Sequence, residues 1–191
     1  MNTWLVISCF KNIFNKERVK DLDIFFQSRK DFDEAVIYYN GLCGEDNKGG
    51  TYRLYYENPN VRAYKNVATG ITIELCCKIF GTAEDILNSF DFTIVKFAYY
   101  KEEVPDTLFD EATAETHTEY KILCHDMFFE HLHMKRLVID DKIPFPMSTF
   151  ERIVRYAKYG YFPCKETKMK IIKALREVPE EQMRLLSARM V

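Results

Sequence analysis

Apolar residues form short runs along the first two thirds of the chain and recur at helical spacing along the last third. Runs rich in β-branched and aromatic residues predict strands at "TWLVIS", "KDLDIFF" and "TYRLYYEN", with two more inside "VRAYKNVATGITIELCCKIF". The last two are predicted to turn at "NVATG", because Gly70 can adopt a left-handed conformation. A short helical turn is predicted between the first two strands.

Residues typical of helix ends occur in the same region. Ser28 is a suitable N-cap and Gly41 a suitable end for a helix that follows the second strand. A short helix is predicted from Thr82 and a strand from Phe90, and the acidic stretch over 101–120 is predicted to be a surface hairpin or loop. Further helices are predicted over 126–137, 148–159, 166–177 and 180–190.

This order predicts an α+β fold, with a mixed sheet and flanking helices. We expect an α/β domain over 1–122, followed by a small helical portion over 123–191. A chain of 191 residues with 47% hydrophobic residues can bury a proper core. The sequence has no apolar run long enough to cross a bilayer and no signal peptide, so we expect a cytoplasmic protein without a membrane partner.

The net charge of −2 conceals a local asymmetry. Residues 1–134 carry 22 Asp and Glu against 14 Lys and Arg, whereas residues 135–176 carry 11 Lys and Arg against 4 Asp and Glu. A basic segment of this size suits nucleic acid or a polyphosphate, and it equally suits a helical region with a solvated basic face.

The candidate chemistry lies in "DLDIFFQS", where Asp21 and Asp23 stand in an apolar strand. Residues two apart on a strand project from the same face, so these carboxylates lie side by side while Leu22 and Ile24 face the core. Two adjacent carboxylates repel each other unless a cation bridges them or one of them is protonated. The pair therefore predicts a site for Mg²⁺ or Mn²⁺, and two such ions about 4 Å apart would suit in-line phosphoryl displacement.

The surroundings of this pair resemble a known signature. "VISCFKNIFNKERVKDLDIFF" has an apolar strand, the small residues Ser8 and Cys9, a spacer of eleven residues and then the acid pair. This resembles the nucleotidyltransferase superfamily of polymerase β-like enzymes. "NSFDFTIVKFAYY" is similar to a segment of bacterial-type CCA-adding enzymes and poly(A) polymerases, and "FERIVRYAKYGYFPCKET" resembles their neck helix. Compact proteins of this kind are familiar from phages.

The resemblance implies a reaction and a set of residues for it. An NMP would pass from an NTP to an acceptor hydroxyl, either an RNA 3′ end of tRNA type or a protein hydroxyl. Asp21, Asp23 and Glu74 would be catalytic, with Asp21 and Asp23 as metal ligands. The resemblance assigns nucleotide binding to a further group, namely Ser8, Cys9, Lys78, Asp91, Arg152 and Arg155.

The sequence also departs from the family pattern. Ser8 and Cys9 stand where the family has glycines, and Ser89 and Phe90 stand where it has arginines. The large helical body that holds tRNA in those enzymes has no counterpart here, so a partner chain would have to replace it. A second hypothesis is therefore a nucleotidyltransferase fold that has lost catalysis and binds RNA or a protein.

Overall fold

The computed structural model describes residues 4–7, 9–105, 116–140 and 142–180. The chain forms two compact units. The first consists of Met1–Leu87 and Phe97–Cys124, and the second consists of Asn88–Lys96 and His125–Val191. The first unit carries a mixed sheet with flanking helices, which confirms the predicted α+β class.

The first unit is built on a seven-stranded sheet. The chain runs through β1 (Trp4–Ile7), α1 (Phe10–Phe14), β2 (Asp21–Phe26), α2 (Arg29–Gly41), a 3₁₀ turn (Glu45–Asn47), β3 (Tyr52–Asn58), β4 (Val61–Asn66), β5 (Thr72–Phe80), α3 (Ala83–Asn88), β6 (Phe97–Pro105) and β7 (Thr116–Cys124). The strand order is β3-β4-β5-β2-β1-β6-β7. β2 and β5 pair in parallel, and the other neighbouring strands pair antiparallel.

One face of this sheet packs on α2. Phe32 of the helix joins Phe26, Tyr64 and Leu75 in a buried cluster. The Tyr64 hydroxyl donates to Asn40 Oδ1 at 2.8 Å, so this fully buried phenol is hydrogen-bonded. Burial raises the pKa of Tyr64 to about 12. The other face of β2 and β5 is therefore free of α2 and carries the polar side chains described below.

The predicted local signals are present in the structure. Ser28 caps α2, and its Oγ accepts from Asp31 N at 3.3 Å. Thr82 caps α3, where Thr82 N donates to Asp85 Oδ2 and Asp85 N donates to Thr82 Oγ1. Gly70 takes φ +72 in the turn between β4 and β5. The two ends of the acidic stretch, 101–105 and 116–120, pair within the antiparallel hairpin of β6 and β7, and its middle lies outside the described residues.

The second unit is small and mainly helical. It contains a 3₁₀ turn (Thr93–Val95), α4 (Phe128–His133), β8 (Arg136–Leu137), α5 (Pro146–Lys158), β9 (Phe162–Pro163) and α6 (Lys165–Arg176). β8 and β9 pair in parallel. The predicted helices over 148–159 and 166–177 correspond to α5 and α6. The predicted helix over 180–190 lies outside the described residues apart from its first position.

Two sequence predictions differ from the structure. The strand predicted from Phe90 begins only at Phe97, because Phe92, Thr93 and Ile94 are buried in the second unit, where Thr93 N donates to Val138 O at 3.0 Å. The helix predicted over 126–137 covers only Phe128–His133. It ends because Lys135 takes φ +51, which turns the chain into β8.

The described residues contain no helix that is both long enough and apolar enough to span a membrane. The six cysteines are free thiols.

Candidate functional site

Asp21 and Asp23 open β2 on the face of the sheet that points away from α2. Strand alternation places Ile24 and Phe26 on the opposite face, where both contact the α2 core. Asp21 is exposed and Asp23 is half-buried, because the pair lies at the first residues of the strand. This position lowers the cost of the two charges compared with the buried strand that the sequence indicated.

The parallel register of β2 and β5 brings a third carboxylate to the same face. Asp23 pairs with Glu74, and Asp21 pairs with Thr72. Paired residues on neighbouring strands share a face, and their strands lie about 4.8 Å apart. Asp21, Asp23 and Glu74 therefore form one group, which we call the acid cluster.

Tyr56 of β3 reaches the acid cluster across a small residue. Tyr56 pairs with Ala63 on β4, and Ala63 pairs with Glu74 on β5. Ala63 is fully buried and short, which leaves room for the phenol to cross to Glu74. Burial and the hydrogen bond to the Glu74 carboxylate raise the pKa of Tyr56, with Asp23 contributing further. The phenol is therefore protonated at neutral pH and donates to Glu74.

A β-bulge is the reason that Tyr56 faces this way. The β3–β4 register shifts between Leu54, which pairs with Tyr64, and Tyr56, which pairs with Ala63. Without the shift Tyr56 would share the α2 face with Leu54. Sequence alternation could not identify Tyr56 as a site residue, since a bulge reverses the alternation without a distinctive residue type.

Two cysteines border the acid cluster. Cys9 follows β1 and is buried, and burial raises its pKa to about 11, with the Asp23 and Asp21 carboxylates acting in the same direction. Burial also raises the pKa of Cys76, with Asp23 and Glu74 as the next causes. Both thiols are protonated at neutral pH and are therefore poor nucleophiles. Ser8 lies outside the described residues.

Lys78 lies on β5, four residues beyond Glu74, and is exposed. The β2–β5 register is interrupted between Ile24 and Phe26, so the regular alternation that places Glu74 does not fix the side of Lys78. Its predicted contact with a nucleotide stays a prediction.

The acid cluster suits a hard cation only if other ligands take part. Among residues 4–7, 9–105, 116–140 and 142–180, no three His, Cys, Asp or Glu side chains are arranged to hold a metal ion by themselves. Mg²⁺ commonly uses one or two carboxylates and completes its shell with water and substrate phosphates. The oxygen donors of Asp21 and Asp23 fit that pattern.

Asp91 forms a buried polar contact inside the second unit. Its Oδ2 accepts from Thr149 Oγ1 at 2.9 Å, and its Oδ1 accepts from Arg152 Nη1 at 2.6 Å. The Arg152 guanidinium also lies 5.2 Å from the centroid of the Phe92 ring. Asp91 and Arg152 thus hold the start of this unit to α5. Thr149 was not identified from the sequence, because nothing in its surroundings marks it as a partner of Asp91.

Arg155 lies one turn beyond Arg152 on α5 and is exposed. Arg152 is held by Asp91, whereas Arg155 faces solvent, so the two arginines differ in their freedom to meet a ligand. Nucleotide binding by Asp91, Arg152 and Arg155 stays a prediction.

Comparison with known proteins gives a family match and a fold match. Residues 2–135 match the model of the Gabija anti-defense 2 family. The chain is 22% identical over 162 residues to Gabija anti-defense 2 of Bacillus phage SPbetaL7, an alignment that covers 84% of this chain and 34% of that protein. The chain thus spans about a third of the length of this relative.

The fold is similar to that of solved CCA-adding enzymes. The complex of a CCA-adding enzyme with CTP is similar with a TM-score of 0.57 and 13% identity, over 92% of this chain and 38% of that one. The Thermotoga maritima CCA-adding enzyme complexed with tRNA has a TM-score of 0.56 and 14% identity over the same shares. A tRNA nucleotidyltransferase with a primer tRNA and an incoming ATP analogue has a TM-score of 0.53 and 14% identity, over 92% and 47%. At these identities the likeness shows a nucleotidyltransferase fold.

Proposed function

Because the chain belongs to the Gabija anti-defense 2 family, we propose that it counteracts Gabija defence as a metal-dependent nucleotidyltransferase. The observation that carries the catalytic part is the acid cluster, in which Asp23 pairs directly with Glu74 and shares its face with Asp21. The nucleotidyltransferase fold provides the frame for this arrangement.

The proposed reaction transfers an NMP from an NTP to an acceptor hydroxyl. The hydroxyl oxygen forms a new bond to the α-phosphorus, the bond from that phosphorus to the bridging oxygen breaks, and pyrophosphate leaves. The hydroxyl proton passes to a carboxylate of the acid pair. Bound Mg²⁺ or Mn²⁺ would supply the positive charge that stabilises the attacking and leaving oxygens.

The residues of this chain have separate parts in that proposal. Asp21 and Asp23 bind the cation, and the exposure of Asp21 lets substrate oxygens share it. Glu74 accepts from Tyr56, so the phenol holds its carboxylate on the face of the sheet that Glu74 shares with Asp23. The protonated thiol of Cys9 lies beside both aspartates and fills space where the resembling enzymes have glycine.

We propose an RNA 3′ end as the acceptor, with a protein hydroxyl as the alternative. The support for RNA is that structures with a similar fold were solved with tRNA and with a primer tRNA. The basic segment over 135–176 would suit the phosphates of such an acceptor.

A second candidate is a binding protein that blocks a Gabija component without catalysis. It is favoured by the buried cysteines beside the acid cluster and by the lack of a three-residue metal group in the described part of the chain. In that case the acid cluster would be dispensable for anti-defense activity.

One experiment tests the proposal and separates the two candidates. Label transfer from each α-labelled NTP to cellular RNA and protein is measured with Mg²⁺ or Mn²⁺, and phage growth is measured in cells that carry Gabija. We expect Asp21→Ala/Asp23→Ala to lose label transfer and to lose the ability to restore phage growth in cells that carry Gabija. A stable double variant that still restores phage growth would overturn catalysis and establish the binding protein.

A further inference from the structure

We propose that Tyr55 and Tyr56 form a stacking platform for an unpaired base of single-stranded RNA. The platform lies on β3, on the face of the sheet that carries the acid cluster. RNA bound there would extend toward the acid cluster. The role of the bound RNA as an acceptor therefore rests on the proposed function, whereas the binding itself does not.

The bulge in β3 places both tyrosines on that face. Tyr56 shares a row with Glu74 through Ala63, as described above. Tyr55 is assigned to the same face by Lys65, whose Nζ lies 4.9 Å from the centroid of the Tyr55 ring. Lys65 pairs with Thr72, and Thr72 pairs with Asp21, so these residues share one face.

The two rings are accessible and fixed in relation to each other. Tyr55 is 56% exposed and Tyr56 is 37% exposed. Their centroids lie 5.7 Å apart with planes inclined at 65°. The hydroxyl of Tyr56 is held by Glu74, so its ring presents a defined edge to Tyr55. An ordered aromatic ring with solvent access is the surface on which a base stacks.

Other tyrosines than Tyr55 and Tyr56 pack in the hydrophobic core of this unit. Tyr39 stacks on Tyr64 with centroids 5.2 Å apart, and Tyr52 meets Tyr39 edge-on at the same distance. All three contact the cluster beneath α2, on the opposite face. Tyr55 and Tyr56 are therefore not an extension of that core.

Two cations flank the platform. Arg53 pairs with Lys65 across β3 and β4, and Arg53 is exposed. A stacked base would bring its phosphate near Lys65, and the next phosphate would lie within reach of Arg53. Aromatic rings alternating with cations are the usual composition of single-strand binding grooves. Lys65 and Arg53 lie two and three strand spacings from Asp21, so an NTP whose phosphates meet a cation at Asp21 leaves both side chains to an acceptor strand.

The platform borders the acid cluster, because Tyr56 donates to Glu74. Tyr56 and Asp23 stand in one row, three strand spacings apart, or about 14 Å at the usual spacing. A base on the platform therefore belongs to a nucleotide near the reacting hydroxyl. Loss of the Tyr55 ring should therefore weaken RNA binding while Tyr56 and the acid cluster stay in place.

The test is fluorescence anisotropy with a short, labelled single-stranded RNA, using the full chain. We expect Tyr55→Ala to weaken binding by about tenfold, the loss of one stacked base, while Tyr55→Phe keeps the ring and stays within about twofold. Tyr38→Ala is the matched control, since Tyr38 is 63% exposed on α2 and should have no effect. Lys65→Ala should reduce the salt dependence of binding.

Two further measurements show whether the stacked base belongs to RNA or to an NTP, and they test the platform independently of the proposed transfer. Unlabelled NTPs are added as competitors, and Asp21→Asn/Asp23→Asn is measured in the same assay. RNA binding that this double variant keeps and Tyr55→Ala loses supports the platform even if label transfer is never seen. Displacement of the RNA by NTPs at comparable concentrations would instead assign the base to the nucleotide. Tyr55→Ala that binds RNA normally would overturn the platform and leave the proposed transfer untouched. Wild-type protein that binds no RNA would overturn both the platform and the RNA acceptor, and would leave only transfer to a protein hydroxyl.

Discussion

Asp23 and Glu74 are direct neighbours across the parallel pair of β2 and β5. Antiparallel strands flank this pair on both sides. The chain passes from β2 to β5 through α2, β3 and β4, and this one crossover sets the position of Glu74. The fifty residues between them fold so that the two carboxylates meet on one face of the sheet, and Tyr56 from within that stretch donates to Glu74.

The first prediction concerns metal binding by the acid cluster. Mg²⁺ with a non-hydrolysable NTP analogue should raise the melting temperature, because ligands that bind only the folded state add about 2.7 kcal/mol at a hundred times Kd. Asp23→Asn should remove most of that rise in a thermal unfolding assay.

Asp33→Asn serves as the control for that assay. Asp33 lies on α2 in an exposed ion pair with Arg29, on the other side of the sheet. An equal Mg²⁺-dependent rise in wild type, Asp23→Asn and Asp33→Asn would show that the cation binds elsewhere.

The second prediction concerns the contact that holds the second unit together. Asp91→Ala should lower the free energy of unfolding by about 3 kcal/mol, because it leaves the half-buried Arg152 guanidinium without its carboxylate. In urea unfolding, the double variant with Arg152→Ala should be less destabilised than the sum of the single variants by more than about 1 kcal/mol. Arg155→Ala, exposed on the same helix, should stay within about 0.5 kcal/mol of wild type. Additive effects at Asp91 and Arg152 would contradict this coupling.

The third prediction concerns the reactivity of Cys9. Burial and the nearby carboxylates raise its pKa to about 11, so alkylation by iodoacetamide should be slow at pH 8 and accelerate as the pH approaches 11. Asp21→Asn/Asp23→Asn should speed the labelling of Cys9 at a fixed pH, because it removes the negative charges and leaves the burial. Mass spectrometry of the labelled peptide measures this directly. Rapid labelling of folded wild-type protein at pH 8 would refute the assignment.

The fourth prediction concerns the acid side of the stability curve. His131 is buried with its Nδ1 at 2.9 Å from Thr93 Oγ1. Burial lowers its pKa, and Arg136 and His125 act in the same direction while Glu130 opposes them. The unfolded chain therefore binds a proton at His131 more readily than the folded chain does. The contribution of His131 to stability is present above pH 6.5, and it is lost as the pH falls through the lowered pKa of the folded state.

Urea unfolding across that pH range measures the effect. His131→Gln cannot titrate, so its stability should fall less steeply below pH 6.5 than that of wild type. His133→Gln changes an exposed histidine of the same helix and should keep the wild-type slope. Equal slopes for wild type and His131→Gln would rule out His131 as a source of the acid sensitivity.

The sequence predicted the features that depend on neighbouring residues. Alternation placed Asp21 and Asp23 on one face, Ser28 marked the start of α2, and Gly70 marked a turn. The motif resemblance led to the correct fold class, because it combined the acid pair with the strand that precedes it.

Features that depend on distant residues could not be predicted in this way. Asp91 receives its hydrogen bonds from residues 58 and 61 positions later, and no local pattern encodes that pairing. Tyr56 reaches Glu74 only because the register slips at a bulge. The strand predicted at Phe90 was wrong for a related reason, since burial in the second unit overrides the β-propensity of that segment.

The division of the chain has a consequence for its synthesis. The second unit takes Asn88–Lys96 from the middle of the sequence and the remainder from His125 onward. During translation, Asp91 therefore emerges from the ribosome well before Thr149 and Arg152, and Phe92 and Ile94 must wait for the partners that bury them. A nascent chain that has already formed its sheet therefore still exposes this apolar segment to solvent until α5 has been synthesised.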